Sequence, residues 1–173
     1  MAYLFHPKRL DNIDDITVFL NERGIYYDKW GVDASKLANA TDQDILELYK
    51  DTINDFCTKG GYQTFDIINV TEQTPNLEAL RQKFLNEHTH SEDEIRFFVH
   101  GQGLFWFNCN NEVFALLCEA GDLLSVPTLA KHWFDMGPKP NLKAIRIFNN
   151  PQGWVANYTG SGIDTNYNHL FKW

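Results

Sequence analysis

Cysteine is scarce in this chain: Cys57, Cys109 and Cys118 are the three present among 173 residues, and no two of them form a C-x-x-C pair. An odd count without paired spacing suits neither a disulfide framework nor a zinc ribbon, so these thiols are expected as small apolar residues of the core or surface. Basic charge is also short, with 15 Lys and Arg against 23 Asp and Glu for a formal net charge of −8. Such a balance, without a Lys/Arg block, repels phosphate backbones and anionic lipid, and neither a nucleic-acid nor a membrane partner is expected. Long apolar runs are missing too. No segment reaches the 18 residues of a membrane span, and the opening MAYLFHPKRLDNIDD lacks the apolar centre of a signal peptide. A cytoplasmic protein is the expectation. Internal repeats, low-complexity stretches and long linkers are absent as well.

What the chain does have is aromatic and aliphatic bulk: 43% hydrophobic residues, with 13 Phe, 7 Tyr and 5 Trp. That composition and length predict one folded domain over residues 1–173 with a substantial core of its own. A monomer is the expectation, although composition and length do not decide it. The first half carries helical spacing. Asp14 and Asp15 lie in the first turn of a short helix, where acidic groups complement the helix dipole. In TDQDILELYKDTINDFCTKGG, residues Ile45, Leu48, Tyr49, Ile53 and Phe56 recur at helical intervals, which predicts one helix capped by Thr41 and ended by Gly60-Gly61. A third helix is expected over Leu77–Glu87.

From residue 88 onward the pattern becomes short runs of Phe, Val, Ile and Trp separated by Gly, Asn and Pro, the punctuation of a sandwich or small barrel. Strands are predicted at Ile95–Val99, Leu104–Asn108, Val113–Cys118, Asp122–Val126, Lys131–Phe134 and Ala144–Phe148. Earlier strands at Gly24–Trp30 and Tyr62–Val70 can pair with them. Asn110-Asn111 is the natural hairpin turn, because Asn tolerates positive φ. The result is a helix-rich N-terminal half and an all-β C-terminal half.

The stretch HTHSEDEIRFFVHGQG, residues 88–103, concentrates the candidate chemistry. On a continuous strand, the even-numbered His88, His90, Glu94 and Arg96 share a face. A His-x-His pair then offers two adjacent imidazole nitrogens to a metal, and Glu94 adds an anionic oxygen. A charged strand edge with two incidental histidines has the same sequence. Downstream, His132 in GDLLSVPTLAKHWFDMG is placed among apolar residues, as a fourth ligand or as a satisfied core histidine.

These residues resemble the cupin superfamily. His88-Thr-His90, three residues, Glu94, six residues and Gly101 match its first motif; Gly121, five residues, Pro127, four residues and His132 match much of its second. Gln82, Leu129 and Met136 replace residues expected at turns and packing positions. Within cupins, HTHSEDEIRFFVHGQGLF, KHWFDMG and KAIRIFNNPQGWVANYTG are similar to the acireductone dioxygenase family of methionine salvage, although His100, Leu129 and Lys131 are atypical. The resemblance implies a mainly β, cupin-type β-sandwich or barrel (jelly roll) with a few helices of the N-terminal half packed outside. It implies one Fe(II) or Ni(II) per chain on His88, His90, Glu94 and His132, with two cis positions open to substrate oxygens.

The implied reaction cleaves the acireductone 1,2-dihydroxy-3-keto-5-methylthiopentene with O2. Iron gives formate and 4-methylthio-2-oxobutanoate, whereas nickel gives formate, CO and 3-methylthiopropionate. An enediol of this kind is electron-rich enough to need no Ser, Cys or His nucleophile. Arg96 is the group to hold an enolate oxygen, because guanidinium stays charged in an apolar setting; a surface ion pair with Glu92 or Asp93 is its other reading. Phe134 and Trp154, with Phe97 or Phe98, are expected to wall the methylthioethyl tail; strand parity favours Phe98 and the resemblance favours Phe97. Glu87, next to His88, is a candidate acceptor for the outer nitrogen of a metal-bound imidazole or a general base, although its odd position can equally set it on the opposite face. Metal-bound imidazoles need a carboxylate or carbonyl on that other nitrogen, and Asp93 and Asp135 are alternatives. The competing readings are a cupin dioxygenase for another enediol or a flavonol, and a non-catalytic metal-binding cupin.

Overall fold

The computed structural model describes residues 3–5, 9–150 and 155–173. Two antiparallel sheets face one another. The first has the order β1-β7-β6-β9-β4-β11 and the second β2-β8-β5-β10-β3. In chain order the strands are β1 (Tyr3–Phe5), β2 (Tyr26–Lys29), β3 (Thr64–Thr71), β4 (His88–Thr89), β5 (Glu94–His100), β6 (Gln102–Cys109), β7 (Glu112–Glu119), β8 (Asp122–Val126), β9 (Lys131–Asp135), β10 (Asn141–Phe148) and β11 (Asn157–Tyr158). The expected mainly β architecture with a few external helices is therefore present, and each of the six strands predicted downstream of residue 88 is found within a residue or two of its bounds, except that β10 begins three residues earlier.

Alternation along the strands decides which side chains meet. On β5, Phe98 enters the core between the sheets with Phe105, Phe107, Phe114 and Phe134. Its neighbours Ile95, Phe97 and Val99 join a separate cluster on the outer face. Both faces are covered, which explains why these strands read as unbroken apolar runs. The β6–β7 hairpin turns on Asn110 and Asn111 at φ 53° and 64°, as their tolerance of positive φ predicts.

The helices cover the outside. α1 (Ile13–Asn21) is capped by the Asn12 side chain and buries Ile16 and Leu20. After the short α2 (Ala34–Leu37), the helix expected over 41–61 is two helices, α3 (Asp42–Leu48) and α4 (Lys50–Gly60). Thr41 caps the first through a capping box with Asp44, and Gly61 ends the second at φ 75°. The break falls at Tyr49, with φ −100° and ψ 5°. Bending there sets the Tyr49 ring edge-on to Phe97 at 4.8 Å and lets Ile45, Ile53 and Cys57 all reach the outer face of the second sheet. Tertiary burial outweighs helix continuity, which has only one or two hydrogen bonds at stake. α5 (Leu77–Leu85) ends two residues short of the expected Glu87, because the chain turns extended at Asn86 to enter β4. The outer face of the first sheet is covered by Ile163, Tyr167 and Phe171, packed against Leu104, Trp106 and Trp133.

Candidate metal centre

The site forms where the two sheets face each other. β4 is only two residues long, and His88 lies directly opposite His132 of β9 within the first sheet. Glu94 and Arg96 belong to β5 in the second sheet. The single strand face expected for His88, His90, Glu94 and Arg96 is thus corrected: the chain leaves the first sheet after Thr89 and crosses at residues 90–93. Ligand atoms are consequently offered from two opposing walls. Parity still places the even residues of β5 on the inner side, but the convergence of the four side chains comes from this crossing.

Local hydrogen bonds hold the crossing in place. The His90 carbonyl accepts from Leu129 N at 3.0 Å, and Asp93 accepts from Thr128 N at 2.8 Å and the Tyr62 hydroxyl at 2.7 Å. The turn from Pro127 to Ala130 therefore clamps His90 while it leads into His132.

His88, His90, Glu94 and His132 are all buried, and one potential ligand atom from each lies within 4.8 Å of the others. Glu94 Oε2 lies 2.9 Å from His90 Nε2 and 3.0 Å from His132 Nε2, while its Oε1 accepts from Arg96 Nε at 2.5 Å. Nδ1 of His88 faces the Asn86 carbonyl at 2.7 Å, Nδ1 of His90 the Val155 carbonyl at 3.2 Å, and Nδ1 of His132 the Ala130 carbonyl at 2.9 Å. A carbonyl against each Nδ1 favours a proton there, which leaves Nε2 as the atom each imidazole would offer to a metal. Carbonyls fill the place for which Glu87, Asp93 and Asp135 were candidates. Glu87 instead accepts from Asn108, Thr159 and Ser161, and Asp135 from Arg81, Gly137 and Trp173. These carboxylates fix the surrounding segments and do not touch the imidazoles.

The electrostatics suit a cation. Burial pushes the His88 imidazole down to about 4, with His132 adding to the effect, so it is neutral at pH 7. Burial works against the Glu94 carboxylate, yet Arg96 and hydrogen bonds from His132 and His90 hold its pKa well below the usual range. Three imidazole nitrogens and one carboxylate oxygen, gathered in a buried pocket, form a donor set fit for a divalent transition metal.

Beside the ligands lies a cavity of about 280 Å³, lined by Arg96, Phe134, Leu80, Phe84, Met136 and Arg146, among others. Arg96 is buried, its guanidinium carbon 5.5 Å from the centre of the Phe134 ring. Its ion pair with Glu94 lies inside the protein and not on the surface. Phe98 is on the inner side of β5, in the core shared with Phe134, whereas Phe97 packs outside against Trp30 and Tyr49. Phe97 is therefore removed from the expected pocket wall by the two-residue alternation of its own strand. Trp154 lies outside the described residues. His100 lines a separate cavity of about 550 Å³ on the outer side of the second sheet, with Val32, Leu37, Ile45, Val99 and Lys143.

Sequence reasoning missed Leu80, Phe84, Met136, Arg146 and Gly103. The apolar face of the helix that runs into His88 signals the first two, and Arg146, at inward parity after Leu142 and Ala144, was a visible anomaly. Gly103 gives no sequence signal of its own. A Cβ there would lie 2.4 Å from Phe134 Cε2, so its missing side chain makes room for that ring.

Comparison with known proteins gives one consistent result. The model of the ARD/ARD' family matches residues 7–156. An acireductone dioxygenase of Picosynechococcus sp. is 51% identical over 171 residues, covering 96% of this chain and 97% of that protein. One from Klebsiella oxytoca is 46% identical, covering 92% and 88%. Among solved structures, an acireductone dioxygenase from Bacillus anthracis with a cadmium ion in its active centre is 35% identical, with a TM-score of 0.82 over 91% of this chain and 98% of that one.

Proposed function

Because the chain belongs to the acireductone dioxygenase (ARD/ARD') family and is a metal-dependent dioxygenase, we propose that it cleaves 1,2-dihydroxy-3-keto-5-methylthiopentene with O2 in methionine salvage. One Fe(II) or Ni(II) per chain is held by His88, His90, Glu94 and His132. Iron loading yields formate and 4-methylthio-2-oxobutanoate; nickel loading yields formate, CO and 3-methylthiopropionate. The observation that carries this reading is the convergence of three buried imidazoles and one carboxylate beside an apolar cavity with Arg96 in its wall.

When bound, the metal supplies Lewis acidity and a template for the enediolate oxygens. The chain's own residues do the rest. Arg96, fixed against Glu94 in the wall of the cavity, brings a buried positive charge to an anionic substrate oxygen and orients the enediolate. Phe134, Leu80, Phe84 and Met136 receive the methylthioethyl tail and exclude water from it. The carbonyls of Asn86, Val155 and Ala130 keep protons on the outer imidazole nitrogens, so the inner nitrogens stay basic. The working unit is one domain acting as a monomer of 20.1 kDa, which sedimentation tests directly.

The deciding experiment loads metal-free protein anaerobically with Fe(II) or with Ni(II), then admits substrate and air. Formate with the keto acid is expected from the iron form, and headspace CO from the nickel form. Full metal occupancy without turnover overturns the reading. His88→Ala is expected to remove metal and activity together.

A further inference from the structure

The wall of the cavity formed by α5 is tied to the rest of the molecule through a group that the reaction does not use. Arg81, on the helix, donates to the Asp135 carboxylate twice, from Nε at 2.8 Å to Oδ1 and from Nη2 at 3.0 Å to Oδ2. Two more donors complete the carboxylate: Gly137 N at 2.9 Å to Oδ1 and Trp173 Nε1 at 2.9 Å to Oδ2. Gly137 has room for this because it lacks a side chain; a Cβ there would approach the Trp173 ring to 2.9 Å. The Asp135 side chain is 5% exposed and that of Arg81 20%, so the pair is largely shielded from water.

Its position in the chain gives this pair its meaning. α5 contributes Leu80 and Phe84 to the cavity, and β9 contributes Phe134, the residue before Asp135. Elsewhere the helix rests on Leu77, Leu80 and Phe84, packed half-buried against the core. Its N-cap, Asn76, sits at φ 54° and makes no side-chain cap hydrogen bond, and Leu85 is its one buried residue. The Tyr158 hydroxyl donates to the Lys83 carbonyl and Asn168 Nδ2 to the Leu85 carbonyl, both toward the C-terminal end of the helix. The bidentate pair therefore holds the middle of α5, one residue from Leu80 and three from Phe84.

We propose that Arg81 and Asp135, with Trp173, act as a latch that positions α5 as the wall against the apolar tail of the substrate, so that they set tail affinity without touching the reacting atoms. The inference rests on the proposed function for the identity of that tail. A positioning role separates KM from kcat, because the metal ligands and Arg96 stay in place while the wall loosens.

The test compares Arg81→Met and Arg81→Lys with the parent in the metal-loaded protein, using the full acireductone and a truncated acireductone carrying methyl in place of methylthioethyl. For Arg81→Met, KM for the full substrate is expected to rise about tenfold, with kcat within about twofold. KM for the truncated substrate and the bound-metal content should stay unchanged. The Arg81→Lys variant, which keeps the charge but loses the fork, should recover part of the effect. Amide hydrogen exchange over 77–85 should accelerate while that of β5–β7 does not. Equal rises in KM for both substrates, loss of metal, or unaltered exchange in α5 would each overturn the latch. If the parent fails to turn over acireductone, the proposed function falls and the exchange measurement alone decides whether the latch exists.

Discussion

Gly103→Ala sets two effects of opposite sign against each other. Gly103 lies in β6 without a positive φ, so its backbone conformation is open to any residue. On propensity alone, Ala in a strand interior stabilises by roughly 0.5–1 kcal/mol relative to Gly. The packing says otherwise. The added methyl would stand 2.4 Å from Phe134 Cε2, 2.5 Å from Cζ and 3.3 Å from Phe98 Cε1, where ordinary contact begins at 3.4 Å. The Phe134 ring must retreat by about 1 Å, and Phe105, with its ring centre 4.7 Å away, blocks one direction. The direction left is into the cavity. Overpacking of a dense core costs about 1–3 kcal/mol, which exceeds the propensity gain, so the net loss is about 1–2 kcal/mol. For a chain of this size that lowers Tm by roughly 2–8 °C. Thermal unfolding of metal-loaded protein measures it. A double-mutant cycle with Phe134→Leu should show a coupling of about 1 kcal/mol or more, since the smaller side chain relieves the clash. KM for the full acireductone should rise as the ring enters its site. A Gly103→Ala protein as stable as the parent, or strict additivity with Phe134→Leu, would refute the reasoning.

Arg96→Met should lower kcat/KM by about 10²–10³-fold, since the guanidinium meets developing charge, and should reduce metal content far less than His88→Ala, because Glu94 loses its Arg96 donor but all four ligands remain; steady-state kinetics with metal analysis checks both. Phe97→Ala should destabilise by about 3–5 kcal/mol and leave KM unaltered, because its ring packs outside the second sheet. Leu129 holds φ 63° with 68% of its surface exposed, so Leu129→Gly relieves left-handed strain at little cost in burial. A gain of up to about 1 kcal/mol is expected in urea denaturation, after the added freedom of the unfolded chain is set against it. For Asp135, burial raises the pKa but the hydrogen bonds from Arg81, Gly137 and Trp173 outweigh it, and the folded value lies below the ordinary 3.8. Its stabilisation is therefore complete above the unfolded pKa and lost as pH falls through the folded one. The stability difference between the parent and Asp135→Asn should be largest near pH 7 and shrink below pH 3.8, and a gap independent of pH would contradict this.

Much of this could be read along the chain because the determinants were local. Thr41 and Asp44 form a capping box from two positions three apart, Asn110-Asn111 fixes a hairpin through its own φ angles, and alternation on β5 separated Phe98 from Phe97 without any partner. The four candidate ligands were legible through the resemblance of His88, His90, Glu94 and His132 to the cupin motifs; the residue types alone left a charged strand edge and a satisfied core histidine open. Whether a carboxylate or a carbonyl meets the outer imidazole nitrogens was not legible, because the carbonyls of Asn86, Ala130 and Val155 are backbone groups that no residue type announces.

What tertiary structure alone decided depends on residues far apart in the chain. Tyr49 breaks a helix whose periodicity is continuous, because the sheet it covers offers more burial to two bent helices than to one straight helix. The space for Phe134 is the absence of a side chain at Gly103, thirty-one positions earlier, and the wall of the cavity is steadied by Arg81 and Asp135, fifty-four apart. Residue type and motif spacing named the candidate ligands. The crossing between two sheets at residues 90–93 settled that they meet, because long-range strand register, unlike alternation, is written in no single segment.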